Sequence, residues 1–290
     1  MRRTILLLAT MALALLLVGG VAASQQRQEQ STSSQSTTTT DKGGGDVSIE
    51  STTQRASFAS GSGNNFLGLK VSNHGNLLSF ESPAGQEAVF AGNEGYVVCT
   101  GGGATVHGHD TGPVEAGFGT PTFSQPTAGA LPLTVTRNTT GGAFQLKQVW
   151  AKPDATEKDV TVTMTLKNIS GATLNDVLLV RTGDFDVGNG GSDRGAATDD
   201  SAWQWNDVNA ADIPPVGLML TALTFGTPHS VRMDTRSTWV STSFPGRANC
   251  FGSSDNTPTA EGDFAMRMIY HLGNLSAGQA KTVKFGFRRM

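Results

Sequence analysis

Acidic and amide side chains crowd into one glycine-rich segment, DFDVGNGGSDRGAATDD, at residues 184–200. Carboxylate and amide oxygens are the ligands that calcium prefers, and glycine lets the backbone curl around an ion. The spacing opens as Asp-x-Asp but lacks the closing glutamate of a helix-loop-helix calcium site. Two interpretations stay open: an exposed acidic loop, or a calcium site. The predicted calcium ligands are Asp184, Asp186, Asn189 and Asp193.

Two histidines alternate in the segment HGHD at residues 107–110. On a strand, alternate residues share a face, so His107 and His109 would both reach one zinc or copper ion. Asp110 or His74 would supply a further ligand. The surrounding glycines favour a flexible loop without metal, and two ligands alone do not make a metal site.

Trp203 and Trp205 stand two residues apart in the segment Trp-Gln-Trp. On a strand, the two indoles would form a flat apolar stripe of the kind on which sugar rings stack, so we predict that they bind ligand. Trp150 and Trp239 would extend this stripe. Burial in a core is the alternative, because tryptophan is usually highly buried.

Side-chain alternation predicts that the chain is all-β. Apolar residues occupy every second position from Val160 to Leu166, and threonine or lysine occupies the positions between them. The run from Val177 to Val180 is apolar at every position, which is typical of a central strand covered on both faces. We predict that 159–181 forms an antiparallel hairpin in the middle of a sheet. The predicted fold is a large antiparallel β-sandwich, with residues 47–290 as one domain.

Cys99 and Cys250 are the two cysteines of the chain. Neither belongs to a Cys-x-x-Cys pair, so a redox role is not indicated. In an oxidising compartment the natural expectation is a disulfide between them. Two separately buried thiols are the alternative.

The first residues predict export. Residues 1–23 have a basic start, an apolar run and small residues suited to peptidase cleavage, which together are typical of a secretory signal peptide. Residues 24–46 are rich in Gln, Ser, Thr and Gly and are predicted to be a disordered linker. We expect a secreted protein, extracellular or in the periplasm or cell envelope, with no membrane anchoring after cleavage. Its mildly acidic formal charge of −3 gives no reason to expect nucleic acid as a partner.

Motifs for covalent catalysis are absent from the sequence. There is no Gly-x-Ser-x-Gly elbow and no convincing set of Ser, His and an acid. Carboxylates for glycosidic chemistry could come from Glu81, Glu87, Glu94 and Glu115. Two of them would have to lie at a suitable separation, which spacing along the chain does not give. These observations favour a protein that binds its ligand without transforming it.

Three sequence segments, each a predicted strand with its turn, carry a family resemblance. The segments are VSNHGNLLSFESPAGQEAVF, VTMTLKNISGATLNDVLLV and LGNLSAGQAKTVKFGF. They are similar to strand segments of uncharacterised secreted bacterial β-sandwich proteins, and more distantly they resemble the supersandwich of galactose mutarotase-like proteins. That family works with a His acid and a Glu base in a sugar-binding cleft. No residue here is matched to either role, so the resemblance implies the fold alone.

We therefore predict an exported, non-catalytic binding or cell-envelope β-sandwich protein. Its predicted ligand is a carbohydrate, its candidate partners are polysaccharide or the cell envelope, and calcium is the candidate cofactor. One alternative is a carbohydrate-active enzyme, a mutarotase-like epimerase or a lyase, that uses His74, His107 or His109 with a carboxylate. A second alternative is a secreted structural protein that associates with itself.

Overall fold

The computed structural model describes most of the chain after its first 51 residues. The described residues are 52–89, 94–112, 114–154, 159–185, 187, 193–206, 216–235, 250–251, 261–262 and 264–289. All of them belong to one compact unit, residues 43–290. None of the described residues forms a helix long and apolar enough to cross a membrane.

The described residues form strands and two short 3-10 turns. The first ten strands are β1 (Gln54–Ser60), β2 (Leu67–Ser72), β3 (Leu77–Glu81), β4 (Glu94–Thr100), β5 (Thr105–Asp110), β6 (Glu115–Ala116), β7 (Thr122–Ser124), β8 (Gly129–Ala130), β9 (Leu133–Asn138) and β10 (Phe144–Trp150). The remaining strands are β11 (Asp159–Asn168), β12 (Leu174–Asp184), β13 (Asp193–Ala197), β14 (Ser201–Asn206), β15 (Val216–Ala222), β16 (His229–Thr235), β17 (Glu261–Gly262), β18 (Phe264–Leu275) and β19 (Ala280–Arg289). The predicted all-β fold is confirmed.

The strands form three sheets. A four-stranded sheet has the order β3-β2-β1-β8, and a six-stranded sheet has the order β16-β18-β12-β4-β5-β6. A nine-stranded sheet has the order β17-β13-β14-β15-β19-β11-β10-β9-β7. Nearly all pairs are antiparallel, as predicted; β1 and β8 pair in parallel.

The main hydrophobic core lies where the inner faces of the three sheets meet. Alternating residues of β11 and β19 supply part of it, including Val162, Met164, Phe285 and Phe287, all of which are buried. The residues between them on each strand face outward. The alternation read from the sequence therefore identified the buried face of these strands correctly.

The predicted hairpin over residues 159–181 is wrong in its pairing. Its two halves are strands, but β11 pairs with β10 and β19, whereas β12 pairs with β18 and β4 in another sheet. The turn between them carries the chain from one sheet to the other. Asn168 fixes this crossing, because its side-chain amide donates to the carbonyls of Ala172 and Leu275, each at 2.8 Å. Polar turn residues thus marked a reversal without showing which partner each strand would take.

A second, smaller hydrophobic cluster covers the outer face of the six-stranded sheet. It consists of Val97, Cys99, Leu178, Val180, Cys250 and Ile269. On β12, consecutive residues therefore alternate between the main core and this cluster, which confirms that the strand is covered on both faces. The predicted disulfide is present: Cys99 and Cys250 are bonded, with 6.3 Å between their Cα atoms.

Replacing both cysteines with alanine, Cys99→Ala with Cys250→Ala, should lower the free energy of unfolding by up to about 5 kcal/mol. The reason is that the bridge closes a loop with a sequence separation of 151 residues and so restricts the unfolded chain. Urea unfolding followed by tryptophan fluorescence measures the change. A reductant should lower the wild-type midpoint and leave that of the double variant unmoved; equal shifts in both proteins would contradict the expectation.

Candidate functional site

A buried network of charged side chains lies beneath the turn between β2 and β3. Nδ1 of His74 lies 2.7 Å from Oδ2 of Asp110 and 3.1 Å from Oε2 of Glu115. Arg137 donates to the same Asp110 oxygen at 2.7 Å and also to Glu115. The two basic groups and the two carboxylates therefore form one ion-paired quartet, which we call the junction quartet.

Contacts within the junction quartet shift the pKa values of His74 and Glu115 toward their charged forms. Burial by itself would lower the pKa of His74, but the hydrogen bonds to Asp110 and Glu115 outweigh it and raise this pKa to about 9. Burial opposes ionisation of Glu115, yet the hydrogen bond from His74 and the charge of Arg137 hold its pKa below the usual range. His74 is thus an imidazolium at neutral pH, paired with the carboxylate of Glu115.

Neighbouring side chains fix the quartet in place. The hydroxyl of Tyr96 donates to the carbonyl of His74 at 2.9 Å and accepts from Arg137 at 3.1 Å. The amide of Asn76 donates to the second oxygen of Asp110 at 2.5 Å. Arg137 reaches the site because it lies on β9 in phase with the buried Leu133 and Val135, so its side chain points inward.

A second buried ion pair lies beside the quartet. Arg181 of β12 donates through two nitrogens to the carboxylate of Glu94, and both side chains are fully buried. Burial raises the pKa of Glu94 to about 7, against the opposing charge and hydrogen bonds of Arg181. Nη1 of Arg181 also donates to Oε1 of Gln148 at 2.6 Å, and Nη2 donates to the carbonyl of Gly75 at 3.0 Å.

Three members of the quartet also have the spacing of a metal site. His74, Asp110 and Glu115 each offer a ligand atom within 4.8 Å of the others. Arg137, however, already donates to both carboxylates, and His74 holds the proton that a metal would have to displace. An incoming cation would therefore meet a guanidinium and an imidazolium. The donor set fits a closed ion-pair network better than a metal centre.

The predicted calcium ligands fall in two sheets. Asp184 is the last residue of β12 in the six-stranded sheet, and its side chain is 1% exposed. Asp193 is the first residue of β13 in the nine-stranded sheet. Asp186 and Asn189 lie outside the described residues. The calcium site stays a prediction, and Asp184 is not part of an exposed acidic surface.

His107 and His109 lie on strand β5 and not on the flexible loop that the sequence favoured. The register of β5 against β4 shifts between Val98 and Cys99, which interrupts the shared face expected for alternate residues. The ring of His107 packs edge-on against the core residue Phe144 at 5.1 Å. His109 stands opposite Val97, a member of the second cluster, so the structure does not place the two rings on one common face.

Trp203 and Trp205 project from the outer face of the nine-stranded sheet. Ala202 and Gln204, which alternate with them on β14, are buried, and Gln204 bonds to the backbone of Phe264. Both indoles are half-buried. Trp150 is instead fully buried and stacks against Phe287, so it does not extend the stripe; Trp239 lies outside the described residues.

A row of outward-facing residues runs from Trp203 across neighbouring strands. Trp203 pairs with Met219 of β15, and Met219 pairs with Arg288 of β19. Arg288 in turn pairs with Asp159 of β11. Arg288 and Asp159 form a two-pronged ion pair at 2.8 and 2.5 Å, and Arg288 is 53% exposed. Directly opposed positions on adjacent strands share a face, so aromatic surface and polar hydrogen-bonding groups lie side by side.

The sequence named some members of the buried network but did not join them. The sequence predicts His74 and Asp110 as further metal ligands and Glu94 and Glu115 as carboxylates for glycosidic chemistry, with no link between the two sets. Arg137 and Arg181 were missed. The usable signal was position along the strand. Arg137 lies in phase with the buried Leu133 and Val135, and Arg181 directly follows the continuous apolar run of β12, so both side chains are buried. A buried arginine needs an acidic partner.

The fold and this site define an antiparallel β-sandwich protein with an outward-facing tryptophan pair. Neither a family model nor a curated protein matches the sequence. Among solved structures, a bacterial glucoamylase complexed with acarbose is similar to the chain, with a TM-score of 0.55 and 11% identity. The likeness covers 86% of this chain and 34% of that one, so the chain spans about a third of the glucoamylase. At this identity it shows the fold alone.

Two further structures are less similar. A putative aldose 1-epimerase from Escherichia coli K12 has a TM-score of 0.43 and 10% identity, covering 81% of this chain and 99% of that one. The heparan sulfate lyase HepC from Pedobacter heparinus has a TM-score of 0.45 and 11% identity, covering 82% and 36%. Neither of these two likenesses carries an argument about this chain.

His74 should make the stability of the protein depend on pH above neutrality. Its folded pKa of about 9 lies above the ordinary 6.5, so the folded state binds this proton more tightly. The resulting stabilisation is complete below pH 6.5 and is lost as the pH rises through 9, with a size of about 3 kcal/mol. In His74→Gln this loss should disappear, as measured by urea unfolding at a series of pH values.

The matched control is His107→Gln. Burial lowers the pKa of His107, so its titration lies below this window and the variant should keep the wild-type slope. Proton NMR of the wild-type imidazole provides a readout that does not depend on the folding of a variant. A His74 midpoint near or below 6.5 would contradict the expectation.

Proposed function

We propose that the chain is an exported, non-catalytic carbohydrate-binding β-sandwich protein that associates with polysaccharide or the cell envelope. The observation that carries the proposal is the pair of half-buried indoles of Trp203 and Trp205 on the outer face of the nine-stranded sheet. Aromatic faces that remain accessible at adjacent outward positions give sugar rings a surface to stack on.

Polar groups next to the indoles support the same proposal. Arg288 and Asp159 lie in the row that begins at Trp203 and present charged donors and acceptors to solvent. Sugar hydroxyls both donate and accept hydrogen bonds, so a ring stacked on Trp203 would find partners along this row. The fold likeness to a glucoamylase, a carbohydrate-active enzyme, is consistent with this proposal and does not extend it to catalysis.

A location outside the cytoplasm also belongs to this proposal. The bond between Cys99 and Cys250 is of the kind that persists in oxidising compartments. The basic, apolar and small-residue pattern of residues 1–23 provides the route of export.

Replacing either Trp203 or Trp205 with alanine should weaken retention on polysaccharide about fivefold, because each indole contributes about 1 kcal/mol of stacking. The double variant should weaken retention about thirtyfold, the sum of the two contributions. The measurement is a pull-down of the purified protein on insoluble polysaccharides and envelope fractions. Phe225→Ala is the matched control, since Phe225 is 66% exposed in the turn between β15 and β16. Retention of the double variant at the wild-type level would overturn the proposal.

A second candidate function, an aldose epimerase, is favoured by one observation: Nδ1 of His74 lies 3.1 Å from the carboxylate of Glu115. Both groups are engaged by the quartet, and His74 is 2% exposed, so we expect no catalysis there. Polarimetry of freshly dissolved α-glucose at pH 7 should show the buffer rate with wild-type protein. An acceleration that Glu115→Gln abolishes and Trp203→Ala preserves would replace the binding proposal with the enzymatic one.

A further inference from the structure

The outer face of the nine-stranded sheet carries a surplus of positive charge. We call the outward-facing residues of β7, β9, β10, β11, β14, β15 and β19 the basic face. Its cations in the described part of these strands are Lys147, Lys167, Lys284 and Arg288, and its acid is Asp159. Beyond β14, strands β13 and β17 add one position of each sign to this face of the sheet, Arg194 and Glu261. The chain as a whole has a formal charge of −3, so this face has the opposite sign to the protein that carries it.

Most of this positive charge is not compensated by the protein. Arg288 pairs with Asp159. Lys147, Lys167 and Lys284 are exposed, and among the described residues no carboxylate lies within 4 Å of any of the three. Their charges are therefore available to an anionic ligand.

Hydroxyl groups fill the space between these lysines. Lys284 stands opposite Thr163, and Lys147 stands opposite Thr165, which in turn stands opposite Thr282. The hydroxyls of Thr165 and Thr282 lie 2.8 Å apart, which confirms that the two side chains meet on this face. The basic face thus presents alternating cations and neutral hydrogen-bonding groups with few apolar side chains.

The basic face is continuous with the tryptophan pair. Trp203 lies in the row of Asp159, and Lys284 lies in the row of Thr163, four residues further along β11. This separation is about 13 Å along the strand, at about 3.3 Å per residue. The two regions are therefore within reach of one extended chain molecule, and a single small ring would not span them.

From this charge complementarity we propose that the ligand is an acidic polysaccharide, whose carboxylate or sulfate groups lie against Lys147 and Lys284 while sugar rings stack on Trp203 and Trp205. This inference rests on the carbohydrate-binding function proposed above and specifies its ligand class. Opposite charges on two extended partners attract over about a Debye length, so binding weakens as salt is added.

The test compares polymers of different charge. Affinity electrophoresis or calorimetry measures binding to xylan as the neutral probe, to polygalacturonate as the carboxylate probe and to heparin as the sulfate probe. The expected result is binding to an acidic probe that is at least about tenfold tighter than to xylan at about 0.05 M salt and falls toward the xylan value at about 0.5 M. The acidic probe that binds more tightly identifies the anionic group, carboxylate or sulfate.

Charge variants locate the binding. Lys147→Gln with Lys284→Gln should weaken acidic-polymer binding about fivefold and leave xylan binding unchanged, since exposed ion pairs are individually weak. The matched control is Lys70→Gln on β2, an exposed lysine of the four-stranded sheet. This single variant should retain wild-type binding.

The outcomes separate the two proposals. Equal, salt-independent binding of xylan and the acidic probes overturns the acidic-ligand inference and leaves the carbohydrate proposal standing. So does a loss from Lys70→Gln as large as that from Lys147→Gln with Lys284→Gln, because net charge and not the basic face would then be responsible. Failure to bind any of the three polymers counts against both proposals.

Discussion

One buried guanidinium links the three sheets. Arg181 belongs to the six-stranded sheet, where it pairs with Glu94, and it also bonds to Gln148 of the nine-stranded sheet and to the turn carbonyl of Gly75 beside the four-stranded sheet. The ring of Trp150 lies 5.0 Å from the guanidinium carbon. Removing one member of such a buried pair typically costs about 3–5 kcal/mol, because the other charge is left without compensation. The relative positions of the sheets therefore depend on a polar contact inside an otherwise apolar core.

This polar junction and the open faces have different roles. The junction quartet uses its histidine and carboxylates to hold β5, β9 and the β2–β3 turn together, which leaves those groups engaged with one another. The outer face of the six-stranded sheet is covered by the second hydrophobic cluster and the disulfide. The outer face of the nine-stranded sheet instead presents threonine, lysine and the tryptophan pair. A binding function is therefore better sought on that face than among the titratable groups of the interior.

Much of the fold follows from local pattern, whereas the buried network does not. Alternation from Val160 to Leu166 identified the buried face of β11, and the continuous apolar run of β12 identified a strand that is covered on both faces. The same pattern gave no information on pairing, because an arch between sheets and a hairpin within one sheet require the same turn residues. The junction quartet joins residues up to 63 positions apart, from His74 to Arg137, and no local signal links them. For the candidate binding face, the spacing of Trp203 and Trp205 correctly placed both on one face of a strand. The sequence did not show that this face is the outer one, because that depends on the burial of the alternating residues of β14, Ala202 and Gln204.

The place of β19 in the nine-stranded sheet has a consequence for the order of folding. This strand lies between β15 and β11, although it follows every other strand of the sheet along the chain. Without β19, β11 and β15 would each lack one neighbour and present an unpaired strand edge. Phe285 and Phe287 fill the core only when this last strand arrives. The interior of this sheet is therefore complete only after the last strand of the chain has inserted between two strands that precede it.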